Sequence, residues 1–226
     1  MQAYIKDPSS GQTLGVVSEL LQVIQEIFIG NFAKRGTLSM RKLVRAKGGR
    51  VVFIEYDLSI GSVLQPIYRI LFDLAIKEAL SRNANEGSVY FILDEFRLLP
   101  HLKHIDDGIN FGRSLGAKFI IGVQNVEQLN AAYGAELAAS LLSGLSTLIC
   151  FRLNDSQSRR YVTENLGRNL TSYALMSSVQ NKGVIDELRE TNVAEDWDIT
   201  RLRPGEAIIR YAEYAPFLFR FALYRK

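Results

Sequence analysis

The sequence predicts an α/β fold built on a mostly parallel sheet, and three observations carry that expectation. Short apolar runs alternate with helical stretches from residue 50 to residue 166, with brief connections between them. The runs are apolar at nearly every position, as in strands covered on both faces. Capping residues and glycines stand where the helical stretches should begin and end. The chain has 226 residues, 47% hydrophobic and 23% charged. That suffices for one good-sized core, or for a core with a small annex.

Residues 11–34 carry apolar side chains at helical spacing, at Leu14, Val17, Leu20, Leu21, Ile24 and Phe28, with Ser9 and Ser10 as candidate N-caps. "LSMRKLV" (38–44) adds a short helix and "AKGG" a turn. "RVVFIEYD" (50–57) reads as a buried strand, being rich in β-branched and aromatic residues. A long helix then starts near Gly61 or Ser62, with Pro66 in its first turns, and ends at "NANEG".

"VYFILDEFRLLP" (89–100) is the next strand. The stretch 104–116 is helical and closes on Gly116. "AKFIIGVQ" (117–124) is a third strand, ending on Gln124. Two short helices follow in "VEQLNAAYG" and "AELAASLLSGL". "STLICFRLND" (146–155) is a fourth strand, and "DSQSRRYVTENLG" the helix after it. Residues 168–198 are polar and weakly periodic, and read as containing a long loop. The last stretch, 205–224, reads as two strands around a turn near Glu213–Pro216, a half-buried ribbon carrying Tyr211, Tyr214, Phe217, Phe219 and Phe221.

A net charge of +3 names no partner. Cys150 is the only cysteine, so an intrachain disulfide is excluded, and His101 and His104 are the only histidines. Neither CxxC nor HExxH spacing occurs, which leaves almost nothing from which to build a zinc site. No secretory signal opens the sequence. Residues 14–32 are too often interrupted by Glu and Gln to span a bilayer. A membrane anchor is expected only outside these residues, and the chain itself is expected to be soluble and cytoplasmic.

The chemistry concentrates at strand ends. In open parallel sheets, ligands bind beyond the carboxyl ends of the strands. Asp94 and Glu95 end one apolar strand there, which is the Walker B pattern of nucleotide-driven motors. In that pattern the Asp helps hold Mg²⁺ and the Glu polarises the attacking water. A strand that simply exits into solvent on two acids is the alternative. Gln124 has an amide able to donate to a phosphate and accept from water, or is an ordinary strand-end polar residue. Arg113 either caps its helix or reaches a phosphate on a neighbouring subunit. Arg152, Arg159 and Arg160, with Arg168 and Lys118 near them, form either a basic patch for nucleic-acid phosphates or a solvated face. Tyr133, Tyr161, Tyr173 and Trp197 are assigned to packing rather than to base stacking. The phosphate-cradling loop GxxxxGK[ST] occurs nowhere.

"VYFILDEFRLLPHL", "FGRSLGAKFIIGVQNVEQLNAAYG", "STLICFRLND" and "LRPGEAII", in that order, resemble the C-terminal half of conjugative DNA-transfer coupling proteins, the TraG/TraD-type ATPases of type IV secretion. The resemblance implies a three-layer, RecA-like P-loop NTPase-type domain, here a partial domain without the Walker A segment. Residues 1–45 resemble the end of the family's all-helical insertion, and 46–226 the second half of the motor domain. The implied roles are Mg²⁺ at Asp94, the catalytic acid at Glu95, phosphate sensing at Gln124, and an arginine finger acting across the subunit interface at Arg113. ATP and Mg²⁺ are the implied cofactors. DNA, further copies in a ring hexamer, and relaxosome or secretion-channel proteins are the implied partners. The parent protein is expected at the cytoplasmic face of the bacterial inner membrane. Without the Walker A half, the chain is expected to be inactive by itself, and to be a piece of a longer gene product rather than the product of a truncated gene. An assembly or docking module, or part of an FtsK/HerA-type translocase, are the alternatives.

Overall fold

A computed structural model describes residues 10–46, 49–83, 86–176 and 184–222, with side chains left aside at 173–176 and 184–187. The turns read at 46–49 and 83–87 fall partly outside these residues. The chain forms two compact units, residues 1–121 and 122–226.

In the first unit, helix α1 (Gly11–Ile27) starts where Ser10 Oγ accepts the Thr13 N–H at 3.2 Å. Its apolar stripe is bare: Leu14, Leu20, Leu21, Ile24 and Phe28 are all exposed. Helix α2 (Met40–Arg45) packs on α3 (Gly61–Leu80), where Arg41 and Arg45 both pair with Glu78. The buried side of α3 carries Leu64, Ile67, Tyr68, Ala75, Ile76 and Ala79, the spacing of a helix covered on one face.

The strand expected at 50–57 does not form: residues 51–57 are irregular, with Val51 and Phe53 strongly exposed. β-Branched composition makes a strand only where a neighbouring strand accepts its ladder, and none of the described strands pairs with this segment.

Strands β1 (Val89–Leu93) and β2 (Ala117–Ile121) pair in parallel, from Val89 opposite Ala117 to Leu93 opposite Ile121. Phe91 and Leu93 are buried on the covered face, where the Phe91 and Phe119 rings stack at 4.9 Å. Tyr90, Ile92 and Ile120 on the other face are exposed, so this pair is covered on one side rather than two. Helix α4 (Ile105–Phe111) and the 3₁₀ turn Gly112–Leu115 lie against β2. They come close because Gly108, Gly112 and Gly116 carry no side chain. A Cβ would stand 2.8 Å from the Phe119 ring at Gly108, 2.9 Å from Ala117 Cβ at Gly112, and 2.4 Å from the Gly87 carbonyl at Gly116. Gly116 also needs its φ of +82°, the left-handed conformation that closes the turn.

In the second unit, α5 (Val126–Tyr133) and α6 (Ala135–Ser143) pack on each other, and α7 (Ser156–Leu166) is capped by Asp155. Buried Ser158 accepts the Val126 N–H at 2.9 Å, tying α7 to α5. Strand β3 (Thr147–Cys150) joins β6 (Glu206–Tyr211) and β7 (Phe217–Arg220) in an antiparallel sheet of order β3-β6-β7. The α/β class holds, but among the described residues β1–β2 is the only parallel pair. The long loop expected within 168–198 is largely a hairpin instead: β4 (Arg168–Met176) pairs antiparallel with β5 (Val184–Asn192). The short helix α8 (Asp196–Thr200) follows, with a capping box between Glu195 and Asp198. The final pair of strands forms as expected, but Tyr211, Tyr214, Phe217 and Phe219 are more exposed than a half-buried ribbon requires. Tyr133 is buried, whereas Trp197 is 54% exposed, with the Arg201 guanidinium 4.7 Å over its ring.

Cys150, Val162, Leu166, Ala194, Ile199, Leu202 and Ile208 make the core of this unit. Burial raises the Cys150 thiol from an ordinary 9.0 to about 11. The folded state thus holds the thiol proton more tightly than the unfolded one. That contribution to stability is intact below about pH 9 and lost as pH rises toward 11. At pH 8 a disulfide reagent should find no reactive thiol in the native chain and one per chain after denaturation. Stoichiometric labelling of the native chain would contradict the packing.

Candidate functional site

Asp94 and Glu95 occupy the turn that follows Leu93, the last residue of β1. Asp94 is exposed and Glu95 half-buried. The turn is held from below and behind. Phe96, 1% exposed, plugs the core directly after the acids. Leu98 N–H closes on the Glu95 carbonyl at 3.0 Å, forming the 3₁₀ turn Phe96–Leu98. Helix α3 supplies three further ties: Gln65 Nε2 to the Leu98 carbonyl at 3.2 Å, the Arg69 guanidinium to the His101 carbonyl at 3.0 Å, and Asp73 Oδ1 from the His104 N–H at 3.2 Å. The acids therefore sit on a backbone fixed at both sides.

Beside them lies a cavity of about 280 Å³. Ile54, Tyr56, Tyr68, Phe72, Ile92 and Leu98 make its apolar wall, and Asp94 and Glu95 its charged part. Two charges beside an apolar wall are the make-up of a ligand pocket. Sequence reasoning missed this wall, because Tyr56 and Ile54 come from the segment read as a buried strand. It also passed over Arg97, although the residue stands inside the quoted "DEFRLLP": Arg97 Nε donates to Glu95 Oε1 at 2.9 Å.

Arg113 is exposed on the turn Gly112–Leu115, which precedes β2. It thus stands at the entering end of the parallel pair, and the acids at the leaving end. The five-residue strands separate these ends by roughly 13 Å at about 3.3 Å per residue. Within this chain, Arg113 and the acids do not meet. Gln124 lies three residues past Ile121, the register partner of Leu93, and is exposed. It is not a strand residue, and it belongs to the second unit.

The arginines weighed for nucleic acid differ among themselves. Arg159 is largely buried, bonded to Asp196 Oδ1 at 2.6 Å and to the Asn154 carbonyl. Arg160 is exposed and pairs with Glu164 at 2.8 Å, which raises its pKa further. Arg152 is exposed, and Arg168 pairs with Glu190 at 3.1 Å. Lys118, in the first unit, donates to the Tyr90 hydroxyl at 3.2 Å.

No group of three or more His, Cys, Asp or Glu side chains able to cage a metal occurs among the described residues. One exposed carboxylate at a strand end nevertheless fits Mg²⁺, which keeps several waters and takes one or two carboxylates plus substrate phosphates. Among the described residues no helix is long and apolar enough to cross a membrane.

A sequence model of the type IV secretion-system coupling protein DNA-binding domain matches residues 6–197. The chain belongs to this family. Two conjugal transfer proteins are among the relatives of this coupling-protein chain. TraG of Agrobacterium fabrum is 27% identical over 124 residues, covering 54% of this chain and 19% of that protein. A probable TraG of Sinorhizobium fredii is 25% identical over 178 residues, covering 76% of this chain and 28% of its own length. Among solved structures, the conjugative coupling protein TrwB lacking its N-terminal segment superimposes with a TM-score of 0.81 at 18% identity, over 96% of this chain and 51% of that one. TrwB with the non-hydrolysable ATP analogue ADPNP gives 0.78 at 18% identity, and TrwB with ADP and Mg²⁺ gives 0.74 at 17%. The coupling-protein chain thus has the RecA-like fold of TrwB, and spans about half of the TrwB chain and between 19% and 28% of the TraG proteins.

Proposed function

We propose that this chain is the hydrolytic half of an ATP-driven, DNA-translocating coupling protein of conjugative type IV secretion. The observation that carries the reading is the placement of Asp94 and Glu95 in a fixed turn at the leaving end of a parallel strand, with Arg113 at the far end of the same pair. Two acids there suit the metal-linked and water-activating sides of phosphoryl transfer. Asp94 would hold Mg²⁺ through its exposed carboxylate, by way of the ion's water shell. Glu95 takes the proton of the attacking water. Gln124 contacts the phosphate, and Arg113 serves the site of a neighbouring copy because it cannot reach its own. Bound Mg·ATP would supply the electrophilic phosphoryl group with its charge partly neutralised. The family description and the TrwB complexes support DNA, ATP and Mg²⁺ as the ligands of the whole protein. A ring hexamer at the cytoplasmic face of the inner membrane, fed by relaxosome proteins, is the assembly that fits. This sequence has no GxxxxGK[ST] loop, so the isolated chain should bind Mg·ATP poorly and not turn it over by itself.

Mixed rings test the shared site. In the whole coupling protein, Arg113→Ala and Glu95→Gln subunits should each be inactive alone. Random mixing should restore about a quarter of wild-type turnover, because a site with an intact Glu95 can then face an intact Arg113. Mixtures as inactive as either variant alone would refute action across the interface.

A further inference from the structure

We infer that the outer edge of β7 takes an added strand from a partner protein, an extended peptide with an apolar side chain and, two residues along on the same face, a carboxylate. The sheet of the second unit stops one strand short. Cys150, Ile208 and Leu218 stand in register across β3, β6 and β7, on one face of the sheet. Cys150 is 3% exposed and Ile208 7%, but Leu218 is 64% exposed. The row that builds the core therefore runs out into solvent at β7. The backbone is open on that side too, since among the described residues β7 pairs only with β6. An unpaired edge with a bare apolar row is a template for one more strand.

A cavity of about 580 Å³ reaches this strand through Phe217 and Leu218. Buried Ala194, Leu202 and Ile208 line it together with exposed Leu218. A strand added about 4.8 Å beyond β7 would set a side chain next to Leu218, continuing the row into the cavity. Two guanidiniums decide the chemistry of the next side chain on that face. Arg201 and Arg203 line the same cavity, are exposed, and form no ion pair among the described residues. The Arg201 guanidinium is steadied by the Trp197 ring, 4.7 Å below it. Asp198 and Glu206 also line the cavity, but each is tied to the backbone. Asp198 Oδ2 accepts the Glu195 N–H at 3.0 Å, and Glu206 Oε2 the Arg203 N–H at 2.9 Å. Their charge would repel a run of phosphates, and the apolar lining offers a sugar-phosphate chain nothing. The cavity thus suits one carboxylate on an apolar strand rather than a nucleic-acid backbone.

The test titrates two labelled peptides, fluorescein-TITET-amide and fluorescein-TITKT-amide, against this chain. Each presents its isoleucine and its charged residue on one face of a strand. The glutamate peptide should bind more tightly by roughly tenfold or more, since it gains a charge-assisted bond where the lysine meets a like charge. In the chain carrying both Arg201→Glu and Arg203→Glu, that preference should reverse. Leu218→Asp should abolish binding of the glutamate peptide, because it removes the apolar row and sets a carboxylate in its place. Backbone hydrogen exchange within residues 217–220 should slow by roughly tenfold at saturating peptide, as the outward amides gain partners. No binding at millimolar peptide, equal binding of the two peptides, or binding without slower exchange in β7 would each overturn the inference. Displacement of the peptide by a single-stranded oligonucleotide would do the same, giving the cavity to DNA. So would protection of residues 217–220 that rises with the concentration of the chain alone, giving the edge to a second copy.

Discussion

Glu95→Gln in the whole coupling protein will lower ATP turnover by roughly 10²–10⁴-fold, the range lost with a general base, and leave nucleotide affinity within about twofold. The substitution keeps the shape of the side chain and its acceptor oxygen, and removes the charge that takes the proton of water. It leaves the turn intact, because the turn is held by the Glu95 backbone carbonyl, by buried Phe96 and by the Gln65 bond to the Leu98 carbonyl. Binding should survive for the same reason, since Glu95 is asked to act on water rather than on phosphate. Turnover at a fixed saturating Mg·ATP concentration, with a parallel titration of a fluorescent nucleotide, separates the two quantities. An active Glu95→Gln protein would show that the twin acids are no more than a strand leaving the core.

Phe96→Ala will destabilise the first unit by about 3–5 kcal/mol, the usual cost of emptying a large aromatic site in a core. Phe96 is 1% exposed and is among the largest fully buried side chains. Thermal unfolding of this chain should show a drop of roughly 10–20 °C in the transition of that unit. The same substitution unplugs the turn that carries Asp94 and Glu95, so in the whole protein activity should fall even well below the new melting temperature. Phe96→Leu keeps most of the volume and should cost far less. A Phe96→Ala chain that melts with the wild type would mean that the turn is held by its hydrogen bonds alone.

These two residues stand next to each other, and the sequence made both visible. An apolar run of five followed by two acids and an aromatic residue needs no partner to be recognised. Helix α3, the Ser10 cap and the Gly116 turn were legible for a similar reason, since each rests on spacing or on local backbone chemistry. What depended on a neighbour was not legible. Residues 50–57 have strand composition but no strand beside them among the described residues. The direction of β3 could not be read, because an apolar run looks the same whether its partner runs with it or against it. The hairpin β4–β5 was hidden by its polarity: Asn169, Thr171, Glu190 and Thr191 alternate with too few apolar residues to mark a face. Among the arginines, Arg159 is bonded to Asp196, 37 residues away, a partner that no local pattern announces. Gln124 was expected at a strand end and falls three residues beyond it.

The three glycines under the helix α4 turn give the β1–β2 pair a mechanical character. The Phe119 ring and Ile76 fill the space above Gly108, Ala117 Cβ that above Gly112, and the Gly87 carbonyl that above Gly116, so the turn rests on its neighbours with little room to shift. Arg113 and the two acids then behave as the opposite tips of one stiff bar. In the ring proposed above, each protomer would offer its guanidinium to one neighbour and its carboxylates to the phosphates it holds itself, so displacing one tip would displace the other. Such a bar would hand the state of one nucleotide on to the next around the circle.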